Sequence, residues 1–97
     1  MNHKAKGNRN EYKTIRLLES LGYECFRMAG SLGRFDVIGI SATDVALVQV
    51  KSNRNPSRAE LDAIRELDTP DNCRKLIHVW KDRQSMPDIK EMKDTQL

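Results

Sequence analysis

Phe35-Asp36-Val37-Ile38-Gly39-Ile40-Ser41-Ala42-Thr43-Asp44-Val45-Ala46-Leu47-Val48-Gln49-Val50-Lys51 is the stretch that decides the fold. Its two apolar runs, Phe35 to Ile40 and Val45 to Lys51, are rich in Val and Ile, residues that suit a pleated surface. The Ser41-Ala42-Thr43-Asp44 link is short enough to make the two runs a hairpin. Each strand carries polar residues among apolar ones. Asp36 lies one residue into the first. Gln49 and Lys51 are two apart on the second, so strand alternation puts both on one face. A polar group on an inner face needs a partner, because burying it alone is costly. A hard cation and a lysine would supply such partners.

Upstream, Asn8 to Leu21 reads as a helix, with Ile15, Leu18 and Leu21 at three-residue intervals. Asn8 is placed to cap it, with Glu11 three residues on, and Gly22 stops it. At about 100° per residue, Glu11 falls about 40° from Ile15 and about 20° from Leu18, on the core-facing stripe. It is therefore either the partner of Asn8 in a capping box or a carboxylate aimed at an inner site. Tyr23 to Met28 is a strand, and Ala29-Gly30-Ser31-Leu32-Gly33-Arg34 is a loop that two glycines leave free to bend sharply.

Downstream, the basic link Ser52-Asn53-Arg54-Asn55-Pro56 leads to a capping-box pattern, Ser57 with Glu60. This opens a helix to about Asp68, with Leu61, Ile64 and Leu67 inward. After the turn at Thr69-Pro70-Asp71-Asn72, Arg74 to Trp80 is a last strand, apolar on both faces apart from His78 and set well inside the sheet. Beyond Lys81 the chain is polar and interrupted by Pro87, which reads as a loosely attached tail. The order α-β-β-β-α-β describes an α/β domain with helices packed on a mixed sheet. A single domain over residues 1–97 is expected, its core about 6–81 and its tail 82–97.

The chain has 97 residues, 32% of them charged, and its longest apolar runs fall far short of the ~20 needed to cross a bilayer. No charged-then-apolar leader opens it, and Cys25 and Cys73 form no CxxC or Cys/His cluster. The expected setting is a reducing, cytoplasmic one, without membrane attachment. Net charge is +3, unevenly spread. Residues 1–34 hold seven Lys/Arg against three Asp/Glu, and residues 59–97 hold seven against nine. A basic first half suits a polyanionic partner. Neither GxxxxGK[ST] nor GxGxxG occurs, so a nucleotide cofactor has no motif. His3 and His78 lack metal-ligand spacing, and each reads as a core or edge histidine.

Four segments together resemble the PD-(D/E)xK nuclease superfamily, and within it the small Holliday-junction resolvases of archaea and phages. They are Lys6-Gly7-Asn8-Arg9-Asn10-Glu11, Arg27-Met28-Ala29-Gly30-Ser31-Leu32-Gly33, Phe35-Asp36-Val37-Ile38 and Val48-Gln49-Val50-Lys51-Ser52. The likeness implies a restriction-endonuclease-like core and a metal-dependent endonuclease for branched DNA, in a prokaryotic or phage-infected cell. It implies Mg²⁺ or Mn²⁺ held by Asp36, Gln49, the Val50 carbonyl and Glu11, with Lys51 orienting or deprotonating the attacking water. Ser31 would approach the scissile phosphate. Lys6, Arg9, Arg27, Arg34, Arg54 and Arg58 would hold the DNA backbone, and a homodimer would present two sites to a four-way junction. The chemistry has its own logic: hydrolysing a phosphodiester needs a nucleophilic water near neutral pH and positive charge on the phosphate, and Mg²⁺ supplies both. Two departures stand out, Phe35 in place of the usual proline and Gln49 in place of Glu or Asp. An amide oxygen ligates Mg²⁺ but adds no charge, which favours one metal over two. Two alternatives remain open. One is a repair- or restriction-type nuclease of the same fold on duplex, nicked or flap DNA. The other is a DNA-binding module without catalysis.

Overall fold

The computed structural model describes residues 3–28 and 34–93, with side chains from residue 7 onward. The first helix, α1, runs His3–Ser20. It starts earlier than the capping pattern predicts, because Lys4, Ala5 and Lys6 are good helix formers and nothing before Asn8 forbids a helix. Asn8 is thus an interior residue, not a cap. At the other end the backbone turns through Gly22 at φ 97°. Gly22 N–H donates to the Glu19 carbonyl at 3.1 Å and Tyr23 N–H to the Leu18 carbonyl at 3.1 Å. This Schellman closure leaves Leu21 outside the helix and 66% exposed, not on its buried stripe. The stripe is Asn10, Thr14 and Leu18, spaced by four, with Ile15 beside them.

Five strands follow: β1 (Glu24–Arg27), β2 (Val37–Ile40), β3 (Val45–Ser52), β4 (Cys73–Trp80) and β5 (Asp88–Met92), with α2 (Arg58–Glu66) between β3 and β4. Their order in the sheet is their order in the chain. β3 and β4 are parallel and the other pairings antiparallel, so α2 is the crossover that a parallel pair requires. The expected α/β architecture with a mixed sheet is present. Leu18 of α1 covers Val37, Ala46, Val48 and Leu76 on one face. On the other, Ile64 of α2 packs with Phe35, Ile77, Val79 and Met92. Alternation along β3 thus turns Ala46, Val48 and Val50 toward α1, and Leu47, Gln49 and Lys51 toward α2.

The segment after Lys81 is not a loose tail. β5 adds an edge strand to β4 over Lys75↔Met92 to Val79↔Asp88, and its Met92 is 7% exposed. Arg74 Nε and Nη2 donate to Glu91 at 3.2 and 3.0 Å, which ties the edge down. An edge strand buries little, so its sequence can be polar. Charged residues along it also deter pairing with other chains. The core therefore extends through Met92. No described helix is long and apolar enough to cross a membrane.

Candidate active site

β3 and β4 run parallel, so their C-terminal ends lie together, beside the start of β2 and the N-terminal half of α1. Asp36 stands one residue before the Val37↔Val48 pair, and Gln49 one residue after it. Asp36 N–H donates to the Val48 carbonyl at 2.8 Å, and its Oδ2 accepts the Val50 N–H at 2.8 Å. Burial raises the Asp36 pKa above the ordinary carboxylate value. The Val50 N–H and the Lys51 charge oppose this, and the Glu60 charge adds to it. Gln49 is 7% exposed, and its Oε1 is buried without a hydrogen-bond partner among the described residues. A half-buried carboxylate of raised pKa at the strand position opposite Gln49, whose amide oxygen is buried, offers two hard oxygen donors at this end of the sheet. Such hard oxygen donors suit Mg²⁺ or Mn²⁺.

Glu11 is the second acid. Its pKa is also raised, first by burial and further by Asp36, while Arg27 opposes the rise. Its Oε1 accepts from Arg27 Nε at 3.0 Å. Arg27 Nη2 also donates to Asn8 Oδ1 at 2.8 Å and Nη1 to the Tyr12 hydroxyl at 3.2 Å, with the guanidinium 4.8 Å from the Tyr12 ring centre. Here Glu11 is thus an ion-pair partner, not half of a capping box. Among the described residues no three His, Cys, Asp or Glu side chains gather to hold a metal, so such a site depends on the amide of Gln49.

Lys51 points to the same end of the sheet, its side chain 11% exposed, and its Nζ donates to Glu60 Oε2. The α2 cap works as the Ser57/Glu60 pattern predicts: Glu60 N–H donates to Ser57 Oγ at 3.1 Å and Ser57 N–H to Glu60 Oε1 at 2.8 Å. Glu60 is nonetheless a site neighbour that the sequence reading missed. Burial raises its pKa, but the Lys51 ammonium and the Ser57 N–H outweigh this and hold it low. The sequence signal was its distance from Lys51 across a short link, which the capping box concealed.

Behind the site, Asn10 Nδ2 donates to Ser52 Oγ at 2.6 Å, joining α1 to the end of β3. Trp80 Nε1 donates to Thr14 Oγ1 at 2.8 Å, which leaves the Thr14 hydroxyl proton for His78 Nδ1 at 3.1 Å. His78 is a satisfied core residue, as read from sequence, and burial lowers its pKa to about 4. Of the candidate DNA contacts, Arg9, Arg34, Arg54 and Arg58 are exposed, and Arg58 also lies 3.4 Å from Asp62. Ser31 and the Lys6 side chain lie outside the described residues.

No protein-family model and no curated protein sequence matches this chain. Among solved structures it is similar to Hjc, a Holliday junction resolvase from the archaeal hyperthermophile Archaeoglobus fulgidus. The TM-score is 0.68 and the identity 17%, over 89% of this chain and 70% of that one. With its mixed five-stranded sheet and a helix on each face, the chain shares the restriction-endonuclease-like fold of that protein.

Proposed function

We propose that this protein is a divalent-metal-dependent DNA endonuclease whose substrate is branched DNA, with the four-way junction foremost. The observation that carries the reading is the orphaned Gln49 Oε1 at the β2–β3 ladder end occupied by Asp36, one residue from Val50 and two from Lys51. Asp36, Gln49, Glu11 and the Val50 carbonyl would hold Mg²⁺ or Mn²⁺. The ion, when bound, supplies an attacking water active near neutral pH and offsets charge on the phosphate. Lys51, held as an ammonium by Glu60, would orient the attacking water and offset negative charge on the phosphate. Arg9, Arg34 and Arg54 grip the backbone without reading sequence, which suits recognition of shape. For Glu11 to reach the ion, Arg27 must release it, and a DNA phosphate is the natural new partner for that guanidinium. The likeness to the archaeal resolvase supports a branched substrate, and a two-fold dimer would match the two cuts a junction needs.

The test is cleavage of a labelled four-way junction against matched linear duplex, nicked duplex, flap and single strand, each with Mg²⁺, Mn²⁺ or EDTA. Paired, symmetric, metal-dependent nicks in the junction are expected. Cutting confined to other forms would keep the nuclease and move its substrate. No cutting of any form, with the junction bound equally well in EDTA, would instead make this a DNA-binding module that has the fold without the chemistry.

A further inference from the structure

Lys51 has two carboxylates within electrostatic reach, Asp36 and Glu60, and only one ammonium to offer. A lysine chain is long and flexible, so its direct partner is set by which carboxylate is better fixed. Glu60 is fixed twice over. Its Oε1 is anchored by the Ser57 N–H at 2.8 Å, and its own N–H is anchored on Ser57 Oγ at 3.1 Å. The second oxygen is thereby aimed at Lys51. Asp36 feels the same ammonium only through space, and its Oδ2 is spent on the Val50 N–H.

We propose that Glu60 is a positioning residue that holds Lys51 off Asp36, so that the Asp36 carboxylate stays open to a divalent cation. The capping box of α2 thus has a second task at the end of β3. Without the Glu60 carboxylate, Lys51 would be released to fold onto Asp36 and compete there with the metal. This inference rests on the proposed metal-dependent nuclease, in which Asp36 is a ligand.

The test is Mn²⁺ affinity of the whole chain, measured by calorimetry without DNA, for wild type, Glu60→Gln, Lys51→Met, the double variant and Ser57→Ala. Outer-shell residues typically set metal affinity by 10–100-fold, so Glu60→Gln is expected to weaken Mn²⁺ binding by about tenfold. In the Lys51→Met background the same change should alter affinity by less than about twofold, because the competing ammonium is gone. Ser57→Ala, which removes the Oγ anchor on the Glu60 N–H but keeps the Ser57 N–H on Glu60 Oε1, should lower the melting temperature and weaken Mn²⁺ binding by less than Glu60→Gln does. An equal loss with and without Lys51 would make Glu60 act on the metal directly and overturn the proposal. So would an unchanged affinity in Glu60→Gln, provided wild type binds Mn²⁺ and cleaves. If wild type neither binds Mn²⁺ nor cleaves DNA, the nuclease reading itself has failed, and this inference falls with it.

Discussion

Gln49 carries an uncharged oxygen where the resembled nucleases carry a carboxylate, and that oxygen is buried without a partner among the described residues. Such an orphan costs about 1–3 kcal/mol in a folded protein. Removing it should therefore stabilise the metal-free chain. Gln49→Met is expected to raise stability by about 1 kcal/mol, which is about 4–8 °C in melting temperature for a domain of this size. The same variant should lose Mn²⁺ binding. Gln49→Glu should do the reverse, tightening Mn²⁺ binding while placing another buried charge near Asp36 and lowering metal-free stability. Melting in EDTA and calorimetric titration read both effects. If Gln49→Met melts lower in EDTA and binds Mn²⁺ as well as wild type, Gln49 is a packing residue and not a ligand. Asp36, Gln49 and Lys51 were legible in the sequence because a period-2 strand leaves few places for polar residues to hide. Glu60 was not, because its capping role already accounted for it.

The elements that sequence misjudged are those whose signal is weakest. β5 is polar because an edge strand packs on one side only, yet Met92 lies in the core under α2. Met92→Ala should cost about 2–4 kcal/mol in urea unfolding, where a loose tail would give no change. The start of α1 was set too late because an asparagine followed by Glu three residues on imitates a cap within a helix. The seam between α1 and β4 carries a pH dependence of its own. His78 has its pKa lowered by burial from 6.5 to about 4. Between those values the unfolded chain takes up a proton that the folded chain does not, so stability falls as pH drops through that window. The His78 contribution to that loss is on the order of 3 kcal/mol, fully developed near pH 4. His78→Gln should lack this contribution, so its stability difference between pH 7 and pH 4 should be smaller by that amount. Equal pH dependence in variant and wild type would show that His78 is not the group responsible.

At the scale of the whole molecule, the fold gathers pieces that lie far apart in the chain. Glu11 comes from α1, Asp36 from the residue just before β2, and Gln49 and Lys51 from β3, and the fold brings these segments to one end of the sheet, where β2 begins and β3 ends. The element order was legible from Val37 to Trp80, since the hairpin and the β3-α2-β4 crossover leave few topologies open. The ion pairs were not, because which arginine meets which acid depends on tertiary placement. Arg27, expected to contact phosphate, here binds Glu11, Asn8 and Tyr12, partners that the sequence did not show. The central claim is that this cluster is a metal-dependent phosphodiesterase centre. Its most direct test is the cleavage rate on a labelled four-way junction with Mg²⁺ and with EDTA, for wild type and Asp36→Asn. Wild type should cut in Mg²⁺ and not in EDTA, and Asp36→Asn should lose at least about 100-fold while still binding the junction. Cutting that persists in EDTA, or that survives the loss of the Asp36 charge, would contradict it.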